Sequence, residues 1–188
     1  VRRLVGSEMC IRDRYIEGYL VTSDVAMEAV HQSIEFSSKN DVKIALTFSD
    51  LAMVKYFKDN FKSILNNKVD LLFCNEDEAK TFSGSDTLED SIKYLGKLSS
   101  TLVVTLGKNG SLIYHNGEKI TIDPYPTKAV DTVGAGDTYA GAFLYGITNG
   151  LSLKKSGELA SLLSSKVVSK IGPRLEKDDI LSNKNFFK

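Results

Sequence analysis

The chain has 188 residues, 42% hydrophobic and 26% charged, and its 24 basic and 24 acidic side chains balance to a formal net charge of zero. That length and mixture suit one sizeable globular core and exclude a disordered chain. The balanced charge gives no reason to expect a nucleic-acid partner, and the longest apolar runs fall far short of a membrane span.

In chain order, Val1–Arg14 (VRRLVGSEMCIRDR) carries four arginines, no initiator methionine and no helical or strand period. It is too short and too polar for a signal peptide, and GSEMCIRDR resembles translated sequencing-adapter read-through. Residues 1–14 are therefore expected to be a non-native leader, with native sequence starting near Tyr15 and making one domain. Cys10 and Cys74 form neither a disulfide framework nor a metal-ligand spacing, as in a reduced cytoplasmic protein.

Tyr15–Val21 reads as a strand. Ser23 or Asp24 can cap a helix over Val25–Ser38, with Val25, Ala26, Ala29, Val30 and Ile34 as its apolar face. Val42–Phe48 is a second strand. Ser49 or Asp50 then caps a helix in which Leu51, Val54, Phe57, Phe61, Ile64 and Leu65 recur at helical spacing. Val69–Phe73 is short and almost wholly apolar, the pattern of a strand buried on both faces. Glu76–Phe82 and Leu88–Leu98 are helices, and Thr101–Leu106 is a fourth strand. Ser111–His115 and Lys119–Asp123 flank Asn116-Gly117, a hairpin signal. Helices over Asp137–Thr148 and Ser152–Ser169 follow, ended by Gly172-Pro173. The alternation predicts an α/β fold with a mostly parallel sheet between helical layers and an antiparallel hairpin at one edge.

The chemistry concentrates in Asp131–Asp137 (DTVGAGD). Gly134, Ala135 and Gly136 form a small-residue turn at a helix start, where main-chain N–H groups point at an anion. Asp137 adds a carboxylate to that anion-seeking turn, which suggests proton abstraction beside a transferring phosphoryl group. No G-x-x-x-x-G-K-[ST] occurs, and the glycines do not form a dinucleotide fingerprint. The bland alternative is a tight strand-to-helix turn. Asn75-Glu76-Asp77-Glu78 and Thr105–Gly110 (TLGKNG) each follow a strand, where ligands bind in open α/β sheets. Taken alone, these are an N-capped helix start and an ordinary turn before a hairpin.

Together the motifs resemble the PfkB/ribokinase family of carbohydrate and nucleoside kinases. DTVGAGD is similar to that family's second signature, NEDE to its N-x-x-E motif and TLGKNG to its T-x-G-x-x-G loop, in the same order and spacing. YIEGYL at Tyr15–Leu20, LTFSD at Leu46–Asp50, GAFLYG at Gly141–Gly146 and IGPR at Ile171–Arg174 resemble the bacterial adenosine-kinase-like branch. The resemblance implies a ribokinase-like three-layer α/β/α fold, truncated at its N-terminus and lacking the lid, with residues 15–188 as the C-terminal part of one kinase domain. It implies ATP-dependent transfer to a nucleoside hydroxyl, adenosine to AMP first, with a ribokinase- or fructokinase-like sugar acceptor or a non-catalytic nucleotide-binding relative as alternatives.

By the same resemblance, Asp137 would be the general base, and Gly134, Ala135 and Gly136 the anion hole. Asn75 and Glu78 would organise Mg²⁺ through water, and Thr105, Gly107 and Gly110 would line the ATP site. Asp131 and the Val133 carbonyl match positions that hold a monovalent cation, K⁺, in some members. The expected partners are a small-molecule sugar or nucleoside and, in the intact protein, a second copy; no nucleic acid or membrane partner is implied. The family's acceptor-binding half has no counterpart in these residues, so the chain alone is expected to be inactive and poorly soluble.

Overall fold

A computed structural model describes residues 13–67 and 69–181. Most of the expected leader, with Cys10, lies outside them. Asp13 and Arg14 open the first strand, β1 (Asp13–Ile16), which pairs in parallel with β2 (Lys43–Thr47). With β3 (Val69–Asn75), β4 (Ser99–Thr105), β5 (Ser111–His115) and β6 (Glu118–Ile122), they make a six-stranded, mostly parallel sheet in sequential order. β5 and β6 are the expected antiparallel hairpin around Asn116-Gly117, with Ile113 opposite Ile120.

The helices are α1 (Asp24–Lys39), α2 (Leu51–Tyr56), α3 (Lys58–Leu65), α4 (Glu76–Ser83), α5 (Leu88–Leu95), α6 (Ala135–Thr148), α7 (Leu153–Val168) and α8 (Lys177–Leu181). Capping chemistry sets several starts. Asp50 accepts from the Ala52 N–H at 2.6 Å, Thr87 from the Asp90 N–H at 3.2 Å and Ser152 from the Lys155 N–H at 3.3 Å.

Three expectations change. Only Asp13–Ile16 is strand, and Gly18–Thr22 coils into a 3₁₀ turn. A Cβ at Gly18 would lie 2.5 Å from the Phe48 carbonyl oxygen, so that glycine marks a close crossing of backbones. On α1 the buried stripe is Met27, Val30, Ile34 and Ser37, while Val25 is 79% exposed. The single helix expected after Asp50 breaks at Phe57, which leaves helical geometry at φ −122°, ψ 29°. Apolar residues recur on both sides of this break, so periodicity alone does not reveal it.

The chain forms two compact units. One gathers the residues up to Leu72 with Asp77–Thr101. Its core centres on Phe48, Phe61 and Phe82, all fully buried, with ring centroids 4.9 Å (Phe48–Phe61) and 4.8 Å (Phe48–Phe82) apart. The other gathers Phe73–Glu76 with the chain from Leu102 onward. Its core holds Phe143 edge-on to Phe73 at 5.7 Å, with Val103, Val104, Ile113, Leu159 and Val167 buried. Among the described residues no helix is long and apolar enough to cross a membrane.

Candidate active site

The glycine turn is built from its backbone outward. The N–H groups of Val130 and Asp131 donate to the Val168 carbonyl at the end of α7, at 2.7 and 3.3 Å. The Asp131 carboxylate then accepts from the Val133 N–H at 3.0 Å and from the Gly172 N–H at 3.1 Å. These two donors, Val133 foremost, hold the Asp131 carboxyl below its ordinary range. Gly134 caps α6 in the left-handed region at φ 78°, and a Cβ there would lie 2.6 Å from Pro173 atoms. Both its conformation and its space therefore require glycine.

Gly136 differs. It is exposed, lies inside α6, and a Cβ there would meet nothing within 4 Å. Nothing in the fold requires glycine at that position, and glycine in a helix is less favourable than alanine by roughly 1 kcal/mol. Of the three expected anion-hole donors, the Ala135 N–H already donates to the Thr132 carbonyl at 3.2 Å. Among the described residues no acceptor engages the N–H of Gly134 or Gly136. Asp137 is exposed in the first turn of α6. The unengaged N–H groups stand at the positive end of the dipole of this fourteen-residue helix.

Thr105 ends β4, and the next residues turn through a short 3₁₀ segment, Gly107–Asn109. The Leu106 N–H donates to the Gly110 carbonyl at 2.8 Å and closes the loop. Gly110 sits at φ 86°, and a Cβ there would come within 2.1 Å of the Ile122 carbonyl oxygen. The hairpin itself thus demands this glycine. Gly107 faces open space but sits in the left-handed region at φ 58°, which favours glycine.

The two loops meet at a cleft of about 570 Å³. Thr105, Gly107, Lys108 and Gly110 line it on one side, and Thr132, Ala135, Gly136 and Tyr139 on the other. Two further walls come from residues the sequence reading did not single out. One is the Pro124–Ala129 stretch, with Tyr125 37% exposed; the other is Ser161, Ser164 and Ser165 of α7. Ser164 donates to the Ala135 carbonyl at 3.1 Å and Ser161 to that of Asp123 at 3.0 Å, so α7 buttresses the turn and the wall. The i, i+3, i+4 serine spacing beside the buried Leu159, Ala160, Leu163 and Val167 was the signal available for this face.

Asn75 ends β3, the strand beside β4, so Asn75 and Thr105 stand at the C-terminal ends of neighbouring strands. Asn75 is exposed, Glu78 on α4 is only 5% exposed, and both are engaged in interactions. Neither lines the cleft, and nor do Asp131, Val133, Gly134 or Asp137. Among the described residues no three or more His, Cys, Asp or Glu side chains gather around a common point. Asn75 and Glu78 each carry an oxygen donor of the kind Mg²⁺ takes, mostly through its water shell.

The chain is 37% identical to the ribokinase of Lactococcus lactis subsp. lactis over 138 residues, covering 66% of this chain and 45% of the relative. The probable sugar kinase protein of Rhizobium etli CFN 42 superposes with a TM-score of 0.88 at 30% identity, over 93% of this chain and 53% of that one. The adenosine kinase of Sinorhizobium meliloti does so with a TM-score of 0.87 at 28% identity, over 93% and 54%. The chain thus spans about half the length of the relatives it matches. Both structural neighbours share its α/β architecture, and the sequence model described as pfkB family carbohydrate kinase matches residues 13–179; the chain belongs to the pfkB family.

Proposed function

We propose that the protein carrying this chain transfers the γ-phosphoryl group of ATP to a hydroxyl of a small sugar or nucleoside. The observation that carries this reading is the exposed Gly136-Asp137 step: a glycine the fold does not need, an unengaged N–H and a carboxylate at one helix start. A protein that only bound nucleotide would have no use for a carboxylate there.

In this reading Asp137 removes the proton from the acceptor hydroxyl as its oxygen attacks the γ-phosphorus and the β–γ bridging oxygen leaves with ADP. The N–H groups of Gly134 and Gly136 receive the charge on the transferring oxygens, while that of Ala135 keeps the turn closed. Thr105, Gly107 and Gly110 border the cleft that receives the nucleotide. Asn75 and Glu78 would hold Mg²⁺ through its water shell, and the ion when bound would supply positive charge beside the phosphates. Asp131, kept ionised, and the Val133 carbonyl are the groups offered to a monovalent cation.

Adenosine is the favoured acceptor, on YIEGYL, LTFSD, GAFLYG and IGPR and on the likeness to the Sinorhizobium adenosine kinase. A sugar acceptor is the second reading, favoured by the 37% identity to a ribokinase. Because the chain spans about half of its relatives, acceptor turnover is proposed for the whole protein and not for these 188 residues alone. Phosphate transfer to a panel of nucleosides and sugars tests the reading, with Asp137→Asn as control. Adenosine is expected to lead, and Asp137→Asn to lower turnover by about 10²–10⁴-fold. Near-full turnover in Asp137→Asn would remove the base assignment, and no phosphorylated acceptor would remove the kinase reading.

A further inference from the structure

Tyr139 lies two residues beyond Asp137 on α6 and points the opposite way: Asp137 is exposed, whereas Tyr139 is 5% exposed. Ser111, the first residue after the TLGKNG loop, is fully buried. Their hydroxyls share a hydrogen bond of 2.7 Å in which either can donate. Tyr139 also lines the cleft, and its ring stacks on Phe143 at 6.4 Å, tilted by 18°. One buried bond therefore ties the helix that begins at the glycine turn to the strand that begins at the opposite loop.

We propose that Tyr139 and Ser111 are a positioning pair that fixes the separation of these two loops and so sets the affinity of the cleft for the nucleotide donor. The proposal rests on the phosphoryl-transfer reading above. Filling the core does not require the hydroxyls. A phenylalanine and an alanine would keep the ring contact with Phe143 and leave no polar atom to satisfy. Replacing both members of a buried hydrogen bond by apolar groups is often nearly neutral for stability. What the pair adds is direction, because a 2.7 Å bond fixes a distance that apolar contact leaves loose. Burial pushes the Tyr139 phenol up to about 12, so it keeps its proton throughout the physiological range.

The test compares Mg–ADP binding by titration calorimetry in the whole protein carrying this chain, as wild type, Tyr139→Phe, Ser111→Ala and the double variant. Each is measured well below its own melting temperature, so that only folded protein is compared. The expected result is a Kd weakened about three- to tenfold in both single variants and equally in the double. A purely structural role would move melting temperature and leave Kd alone. A double variant that binds as tightly as wild type, whatever its melting temperature, overturns the positioning pair and leaves the kinase reading intact. A wild-type whole protein that binds no Mg–ADP overturns the nucleotide assignment of the cleft itself.

Discussion

The Gly172 N–H donates to Oδ2 of Asp131 across 41 residues of sequence, and Pro173 lies against Gly134. The IGPR segment therefore acts as the buttress of the glycine turn, with Asp131 as the joint. The depressed carboxyl of Asp131 gives this joint a pH signature. A group whose folded pKa lies below its unfolded value stabilises the protein above the ordinary value of 3.8 and loses that contribution as pH falls through the folded pKa. Asp131→Asn is expected to lower the melting temperature at neutral pH and to flatten its decline below about pH 4. Parallel acid melting curves for variant and wild type would show that Asp131 is no such joint.

Gly134 and Gly136 are predicted to separate stability from function. Gly134→Ala must hold a left-handed backbone against Pro173 and is expected to destabilise by about 1–3 kcal/mol in urea unfolding. Gly136→Ala places a methyl in open space and is expected to be neutral or stabilising by up to about 1 kcal/mol. The same methyl stands at the proposed phosphoryl oxygens, so Gly136→Ala is expected to weaken nucleotide binding. A Gly136→Ala variant that binds nucleotide like wild type would separate that glycine from the site.

The three-phenylalanine core sets a different expectation. Phe61 is fully buried beside Phe48 at 4.9 Å and edge-on to Phe82 at 6.5 Å, and Phe61→Ala is expected to cost about 3–5 kcal/mol through lost burial and a residual cavity. Tyr56, 79% exposed on the preceding helix, should tolerate alanine with little change. Chemical denaturation of both variants checks the contrast.

Metal removal bears on Asn75 and Glu78. Chelation with EDTA is expected to abolish transfer by the whole protein, and Mg²⁺ alone to restore it. Asn75→Ala should raise the Mg²⁺ concentration needed for half-maximal rate. An unchanged requirement would take Asn75 out of the metal shell. On the proposed monovalent-cation assignment of Asp131 and Val133, replacing K⁺ by a bulky organic cation is expected to slow transfer in the same assay.

Much of this protein is legible along the chain because it is local. Helix starts follow from Ser, Thr and Asp at caps, the hairpin from Asn116-Gly117, and the buried β3 from an apolar run bounded by polar residues. The motifs are readable for the same reason, since glycine and carboxylate spacing at a strand-to-helix turn is written in consecutive residues. Tertiary structure decided what depends on partners far away in sequence. It broke the helix at Phe57, turned Val25 outward, and ended the first strand where Gly18 crosses Phe48. It also gave four similar-looking glycines different tasks. Gly134 and Gly110 answer to Pro173 and Ile122, Gly107 to its own left-handed backbone at φ 58°, and Gly136 faces open space inside a helix. A sequence shows that a residue is small, but only its distant neighbours determine whether that smallness serves packing or leaves room for a ligand.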